Sequence, residues 1–488
     1  MSYKYIRVPN TITFENCQAN NFVFAPSKYS RFIPTNSELF VPLSRKCIER
    51  KDKIKVNRRL TYSYSEIGDI DVNNGTVGFR TSYGLNLPSE NPKKCCPNDI
   101  LISTVRSYRG GFGMLSSSEE NHCCSPAIIV IEDVSPDITK EYLLAILKSD
   151  FFIEQILGFQ TRGMYPRLDS DAMDNIVIPI PENKSIQYIS VLMRAYLNKH
   201  ELIKQRHADI LKLIDDELRN NQKANVFRYN NPNINDLQKV GRLDASLYSV
   251  FYQENIFRII NYTNGYAPLT EQKLKLYPGP SLELKLLGTR IDSDKYINGF
   301  YRLITPKQIT NYGTVKFEQY IGTPAKIKNI KYGDILFGES GTGRTLVYLD
   351  NDGNSINNAH AHVLRSELPN DLERIITIRS ILQYYKETGL TDCLTVGGSG
   401  GHLSPSYFDR LFIPNFPKIK QKEIATLYYN PAEYNANDCT IESFLDYDTE
   451  YNGTAGIYEL DKTAKHLKEL LDDAIDKIVR DQDIEIRF

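Results

Sequence analysis

The glycine-rich segment at residues 338–345, GESGTGRT, is the pattern in this sequence that most resembles a chemical site. It follows an apolar, strand-like run and differs by one residue from the phosphate-binding loop Gly-x4-Gly-Lys-Ser/Thr. Arg344 stands where that loop needs a lysine, and a guanidinium does not replace a compact ammonium there. We therefore interpret the segment as a turn of a binding module, and keep a P-loop-like NTP-binding protein as the lesser alternative.

Cysteine and histidine patterns give a weak indication of metal binding. Cys95–Cys96 and His122–Cys124 place neighbouring side chains side by side, whereas zinc sites usually separate their cysteines by two to four residues. We expect buried free thiols and no metal. The sequence shows no Gly-x-Ser-x-Gly and no nuclease-like carboxylate cluster, so no catalytic residue is predicted and the chain is not expected to be an enzyme by itself.

Basic residues are concentrated in two segments, although the whole chain has a net charge of −1. Residues 45–59 contain eight basic and two acidic residues, and residues 271–331 contain eleven and five. Such local excess suits contact with phosphates, and exposed arginines on glycine-rich turns can bind phosphate or read guanine. The predicted DNA-binding residues are Arg45, Lys46, Lys51, Arg58, Arg59, Arg106, Arg109, Ser340, Thr342 and Arg344.

An internal repeat indicates how these residues are positioned. The run Asp99-Ile100-Leu101 recurs as Asp334-Ile335-Leu336, at a separation of 235 residues. The same separation carries a second block of four residues, namely Leu168, Asp174, Ile178 and Pro179, onto Leu403, Asp409, Ile413 and Pro414. Two blocks with one separation, close to half the chain length, predict a tandem duplication.

Each half ends in a strand-like run with prolines, at residues 176–180 and 411–413, and a heptad pattern follows it. The first helix is predicted over residues 185–221 with Ser185 as its cap, and its seam is Ile189, Met193, Tyr196, His200, Ile203, His207, Ile210 and Ile214. The second begins near Lys418, is interrupted at residues 430–458, and resumes with Leu460, Ala464, Leu467, Leu471, Ala474 and Ile478. Two such helices can pair with each other.

The length of 488 residues requires several domains. We expect an α/β (α+β) chain with a first globular domain at residues 1–181, a central helix at 182–222, a second globular domain at 223–417, and a C-terminal helical region at 418–488 with an insertion near 430–458. The sequence shows no secretion signal and no long apolar run, so no membrane contact and a cytoplasmic location are expected.

The order of these features, occurring twice, resembles the specificity subunits of type I restriction–modification systems. In each half the order is a turn, Asp-Ile-Leu, a glycine-rich segment, Ile-Pro and the start of a helix. The helix start contains Gln187 and Ile189 in the first half, and Gln421 and Ile424 in the second. The resemblance implies two target recognition domains that each read half of a split site in double-stranded DNA. It also implies antiparallel pairing of the helices and docking of two methyltransferase (M) subunits and of restriction (R) subunits. S-adenosylmethionine, ATP and Mg would then belong to the partners, and the interruption at 430–458 departs from the pattern.

Two further alternatives remain at this level. A DNA-recognition chain of a related defence system that is not type I would share these features, and co-purification with a methyltransferase would separate the two. A purely structural coiled-coil dimer would show no sequence-dependent affinity for DNA.

Overall fold

A computed structural model describes residues 4–19, 22, 24, 29–116, 121–159, 168, 173–339, 343–396 and 401–488. The chain forms two compact units, and both are discontinuous in sequence. The first contains Met1–Leu202, Glu433–Gly453 and Leu460–Phe488, and the second contains Ile203–Ala432 and Thr454–Glu459. The domain boundaries proposed from the sequence stay predictions.

The first half of the chain contains twelve described strands and four described helices. The strands are β1 (Ile6–Arg7), β2 (Arg31–Phe32), β3 (Phe40–Pro42), β4 (Cys47–Glu49), β5 (Thr61–Ser65), β6 (Arg80–Tyr83), β7 (Lys93–Lys94), β8 (Ile100–Ser103), β9 (Phe112–Met114), β10 (His122–Cys124), β11 (Ile128–Val134) and β12 (Val177–Pro179). The helices are α1 (Phe14–Ala19), α2 (Lys140–Leu147), α3 (Asp150–Phe159) and α4 (Asn183–Asn220).

The rest of the chain contributes ten described strands and seven described helices. The helices are α5 (Ile234–Val240), α6 (Val250–Ile260), α7 (Leu284–Leu287), α8 (Leu372–Glu387), α9 (Lys418–Tyr428), α10 (Phe444–Thr454) and α11 (Ile457–Val479). The strands are β13 (Tyr266–Pro268), β14 (Leu274–Pro278), β15 (Ile291–Ser293), β16 (Tyr301–Leu303), β17 (Tyr320–Gly322), β18 (Ile335–Gly338), β19 (Thr345–Val347), β20 (Ser355–Ile356), β21 (Ala361–Ser366) and β22 (Phe412–Pro414).

One four-stranded sheet has the same topology in both units. In the first unit the order is β4-β11-β8-β9, and in the second it is β14-β21-β18-β19, with every neighbour antiparallel. The central strands β8 and β18 are fully buried, which explains why both Asp-Ile-Leu runs continue as apolar sequence. The repeated sequence block therefore marks the middle of a repeated sheet.

A second sheet is also repeated, but with one strand moved. Strands β6-β5-β10 in the first unit correspond to β17-β16-β20 in the second, and in both sets one pair is antiparallel and one parallel. The fourth strand joins at opposite edges: β7 pairs with β10, whereas β15 pairs with β17. The duplicated modules thus share a three-stranded centre and differ at the edges.

The strand-like runs predicted at residues 176–180 and 411–413 form two equivalent ladders, which we call the exit ladders: β12 pairs with β3, and β22 with β13. Helix α4 begins at Asn183 and helix α9 at Lys418, again 235 residues apart. Ser185 is wrong as the predicted cap, because the helix begins two residues earlier and Ser185 lies inside it. Helix α9 ends at Tyr428, shortly before Pro431, so the predicted interruption of the second helix is confirmed.

The heptad helices pair within the first unit. Tyr188 on α4 donates a hydrogen bond to the carbonyl of Arg487, whereas Tyr196 shares a small cavity with Leu471 and Lys199 pairs with Asp448. Residue numbers rise along α4 as they fall along the partner segment, so the packing is antiparallel. Almost all the predicted seam positions are buried, and the fold class expected from the sequence is confirmed.

The interruption is not an unstructured loop. It contains α10, and its central part, Glu433–Gly453, belongs to the first unit, where Tyr434, Cys439 and Phe444 join the same apolar core as α4 and α11. Within the described parts of the chain, no helix is both long and apolar enough to cross a membrane.

Candidate nucleic-acid interface

The aspartates of the two repeated runs each hold an arginine. Asp99 is 1% exposed and accepts hydrogen bonds from Nε and Nη2 of Arg50, both at 3.1 Å. Asp334, also 1% exposed, accepts a hydrogen bond from Nε of Arg365 at 2.7 Å. Each aspartate also accepts a backbone N–H three residues upstream, from Cys96 or Lys331. The repeated Asp-Ile-Leu run is therefore a structural anchor for a turn and a strand.

The arginine comes from a different strand in each unit. Arg50 follows β4, whereas Arg365 lies on β21 at the position that Glu132 occupies on β11. Glu132 in turn pairs with Nη1 of Arg50 at 3.0 Å. Both units therefore have the same aspartate–arginine contact, but the two arginines do not lie at equivalent positions in the sequence. A search for repeats at one separation misses both arginines for this reason.

The first basic segment divides into anchored and exposed side chains. Arg50 is anchored as described, and Lys46 pairs with Asp137. The remaining six are exposed, namely Arg45, Lys51, Lys53, Lys55, Arg58 and Arg59, and Arg58 lies 3.9 Å from the exposed Glu90. Strand pairing adds Lys94, which the sequence analysis missed, because its N–H donates to the carbonyl of Asp52.

Arg106 and Arg109 lie on the turn that follows β8. Arg106 has φ of 51°, in the left-handed region, and Gly110 has φ of 78°. Arg109 is exposed, 5.9 Å from the ring of Tyr108. Lys148 fixes this turn because its Nζ donates to the carbonyls of Val72 and Gly110. Burial lowers the pKa of Lys148 to about 8.

In the equivalent segment of the second unit, Arg344 is half-buried and donates to the carbonyl of Ile309 at 3.2 Å. Ser340 and Thr342 lie outside the described residues. Thr345 is fully buried on β19, and its hydroxyl donates to the carbonyl of Arg379. A phosphate-binding loop needs that hydroxyl free for Mg²⁺, so this geometry weighs against the NTP-binding alternative.

Arg379 lies beneath this segment and is fully buried. Its Nε donates to the carbonyl of Thr345 and its Nη2 to that of Asn311, and the guanidinium is 4.9 Å from the ring of Tyr428. Burial lowers its pKa below the usual range. Arg379 therefore acts as an internal brace for β19.

Two cations of the second basic segment and Arg365 of β21 surround one aromatic ring. Nζ of Lys328 is 3.8 Å from the centroid of the Tyr277 ring, and Lys275 and Arg365 are 5.7 and 5.1 Å away. Lys275 and Lys328 are exposed. Such a surface fits a phosphate backbone, and no single sequence motif marks it.

The cysteines are free thiols, five of them buried and three half-buried. Cys95 and Cys124 lie in one apolar core, and burial raises the pKa of Cys123 to about 12. Nε2 of His122 contacts the Ser65 hydroxyl at 3.0 Å. In the described parts of the chain no group of three or more His, Cys, Asp or Glu is arranged to hold a metal ion.

No protein-family model and no curated protein sequence matches the chain. Among solved structures, the chain is similar to the HsdS subunit from Thermoanaerobacter tengcongensis, with 16% identity, a TM-score of 0.31, and 90% of this chain and 96% of that chain covered. It is similar to the type I restriction–modification S subunit from M. genitalium, with 11% identity, a TM-score of 0.41, and 93% and 99% covered. It is also similar to a chain of a type I restriction–modification system whose structure concerns complex assembly and conformational transition. The identity is 18%, the TM-score is 0.32, and 90% of this chain and 97% of that chain are covered.

Proposed function

We propose that this chain is the DNA-recognition (specificity) subunit of a type I restriction–modification complex. The observation that carries the proposal is the duplication: two units repeat the same sheets, each closes with an exit ladder, and a helix begins directly after each. Two similar but non-identical modules in one chain suit a DNA target made of two different half-sites.

The charge distribution supports DNA as the partner. Exposed cations occur in both modules, six of them in residues 45–59 and others around Tyr277, although the chain is nearly neutral. Binding of phosphates by lysine and arginine releases counterions, so affinity should fall as salt rises.

Catalysis belongs to other subunits in this proposal. Two methyltransferase subunits dock on the helical regions, restriction subunits join for cleavage, and S-adenosylmethionine, ATP and Mg bind to those partners. A DNA-recognition chain of a related defence system remains the alternative, and co-purification with a methyltransferase subunit distinguishes the two.

Selection from a library of randomised duplex DNA by the full chain tests the proposal. We expect enrichment of a split motif, with two different half-sites and a fixed gap, and an affinity that falls with salt. Enrichment of no motif, or of one contiguous motif, would contradict a two-module reader. ATP should not raise the melting temperature of the chain, whereas an NTP-binding protein would be stabilised.

A further inference from the structure

A tight turn precedes the central strand of the second sheet in the first unit. At residues 57–60 the Leu60 N–H donates to the Asn57 carbonyl at 3.1 Å, and the Gly84 N–H donates to the Leu60 carbonyl at 2.8 Å. Gly84 is required for this approach, because a Cβ there would lie 2.3 Å from the Asn57 oxygen. Val56 and Leu87 pack on the core of this sheet and fix the turn from both sides.

The second unit has a turn in the equivalent position, at residues 297–300. The Phe300 N–H donates to the Ile297 carbonyl at 3.0 Å, directly before β16, which corresponds to β5. Gly322 faces Phe300 as Gly84 faces Leu60, and a Cβ on Gly322 would lie 2.4 Å from the Phe300 ring. We call these two segments the tip turns.

The tip turns have one framework but different exposed residues. Residues 57–60 present Arg58 and Arg59, flanked by the exposed apolar side chains of Leu60, Tyr83 and Leu85. Residues 297–300 present Asn298 and Gly299, flanked by Tyr296, Ile297 and Ile291, which are also exposed. Gly299, the third residue of its turn, has φ of 84°, as a type II turn requires, whereas Arg59 has no positive φ, so the two tip turns differ in backbone type.

From this pairing we infer that the tip turns are the specificity-determining elements of the two modules, an inference that rests on the proposed function. Arg58 and Arg59 contact guanine in one half-site, and Asn298 contacts adenine in the other. The flanking apolar side chains pack against sugars and bases.

The chemistry of the side chains supports this assignment. Arginine forms paired hydrogen bonds with the O6 and N7 of guanine, and asparagine with the N6 and N7 of adenine. Among the residues that the structure describes, no buried carboxylate pairs with Arg58 or Arg59, and the 3.9 Å contact of Arg58 is to an exposed Glu90. Apolar side chains beside these polar ones can contact the methyl group of thymine in the same groove. Two modules that recognise different DNA sequences need the same backbone support and different exposed side chains on their turns.

The test uses the full chain, a randomised duplex library, and two tip variants. R58A/R59A should flatten the guanine preference in one half-site and weaken cognate binding about ten- to a hundred-fold, and leave the other half-site intact. N298A should flatten an adenine preference in the other half-site only. Circular dichroism and thermal melting should show that both variants remain folded.

Two controls separate base reading from charge. R7A/R31A removes two exposed arginines that face each other across β1 and β2 in the same unit, and it should leave both half-sites unchanged. R58K/R59K keeps the charge but loses the planar fork, so non-specific affinity should be retained and guanine selectivity lost.

The tip-turn inference fails if R58A/R59A still selects the wild-type motif, or if R7A/R31A changes the motif as much as R58A/R59A does. It also fails if R58K/R59K retains the selectivity for guanine. A wild-type chain that selects no split motif would instead overturn the proposed function itself.

Discussion

The anchors of Asp99 and Asp334 are the smallest repeated features of the molecule. Each carboxylate closes a turn and neutralises an arginine inside the protein. The sequence predicted that these aspartates correspond, because both precede Ile-Leu at one separation. It could not predict their partners, since Arg50 and Arg365 lie on strands whose pairing only the fold defines.

Asp334→Asn should therefore destabilise the protein by about 3 kcal/mol, because it leaves the Arg365 charge without its carboxylate. The free energy of urea unfolding measures this. Asp137→Asn is the matched control, since it removes the partner of Lys46 from a pair at the surface, in which the Asp137 side chain is 47% exposed, and it should cost about 0–1 kcal/mol. Equal effects of the two variants would show that the Asp334 anchor does not have this role.

Lys148 gives a prediction on pH. Its pKa is lowered by burial to about 8 in the folded protein, against roughly 10.4 in the unfolded chain. Between these values the unfolded state binds more protons, so this lysine makes stability rise as pH rises. Below about pH 8 the folded protein carries the full cost of the buried charge.

Melting temperatures measured from pH 7 to 10 should show this rise relative to Lys148→Met, which removes the titrating amine. Parallel pH profiles for the two proteins would rule out a depressed pKa at Lys148.

At the scale of elements, the interruption of the second helix is attached to α4 by a buried ion pair. Nζ of Lys199 is 2.6 Å from Asp448 and 2.7 Å from Asn452, and it lies about 5 Å from the rings of Tyr434 and Tyr451. Lys199 is fully buried, and burial lowers its pKa. The central part of the insertion, Glu433–Gly453, is thus a packed part of the first unit.

A double-mutant cycle tests this attachment. Lys199→Met and Asp448→Asn should each lower the free energy of unfolding by about 3–5 kcal/mol, because each leaves one buried group uncompensated. The double variant should cost clearly less than the sum of the two. Additive effects in urea unfolding would contradict a direct buried pair.

The heptad pattern predicted α4 closely, since residues 185–221 became Asn183–Asn220. Strand pairing was less accessible to sequence reasoning. Residues 41–44 (VPLS) and 267–270 (APLT) occupy equivalent places, where the N–H groups of Leu43 and Leu269 donate to the carbonyls of Ile176 and Leu411. Their separation is 226 residues rather than 235, so a difference in loop length between the halves hides this part of the repeat.

The candidate DNA-binding residues were predicted in part. Arg45, Lys51, Arg58 and Arg59 are exposed, in agreement with the local basic excess, and Arg109 is exposed on its glycine-rich turn. The tip turns were not predicted from the sequence. The close approach of Gly84 and Gly322 to these turns depends on strand pairing, which the sequence does not show. Contact of any of these residues with DNA stays a prediction.

For the whole molecule, the long helices should set the gap between half-sites. Helix α4 has 38 residues, or about 57 Å at 1.5 Å per residue, and both α4 and α11 contribute residues to both units. An insertion of one heptad after Leu202 and another after Glu459 adds roughly 10 Å to each helix and preserves the seam. We expect the gap to lengthen by about three base pairs, at 3.4 Å per step, with both half-sites unchanged.

Selection from randomised DNA by this variant measures the gap. A heptad inserted in α4 alone is the matched control, and it should impair folding or binding instead of lengthening the gap. If the double insertion selects the original gap, the helices do not determine the spacing.

Methylation mapping tests the central claim most directly. Genomic DNA is sequenced for methylated bases in a host that expresses this chain together with its methyltransferase partner, and in a host that expresses the methyltransferase alone. The proposal predicts methyladenine at one split, asymmetric motif, present only with this chain and changed in one half by R58A/R59A. Methylation that is independent of this chain, or at a motif without two half-sites, would contradict it.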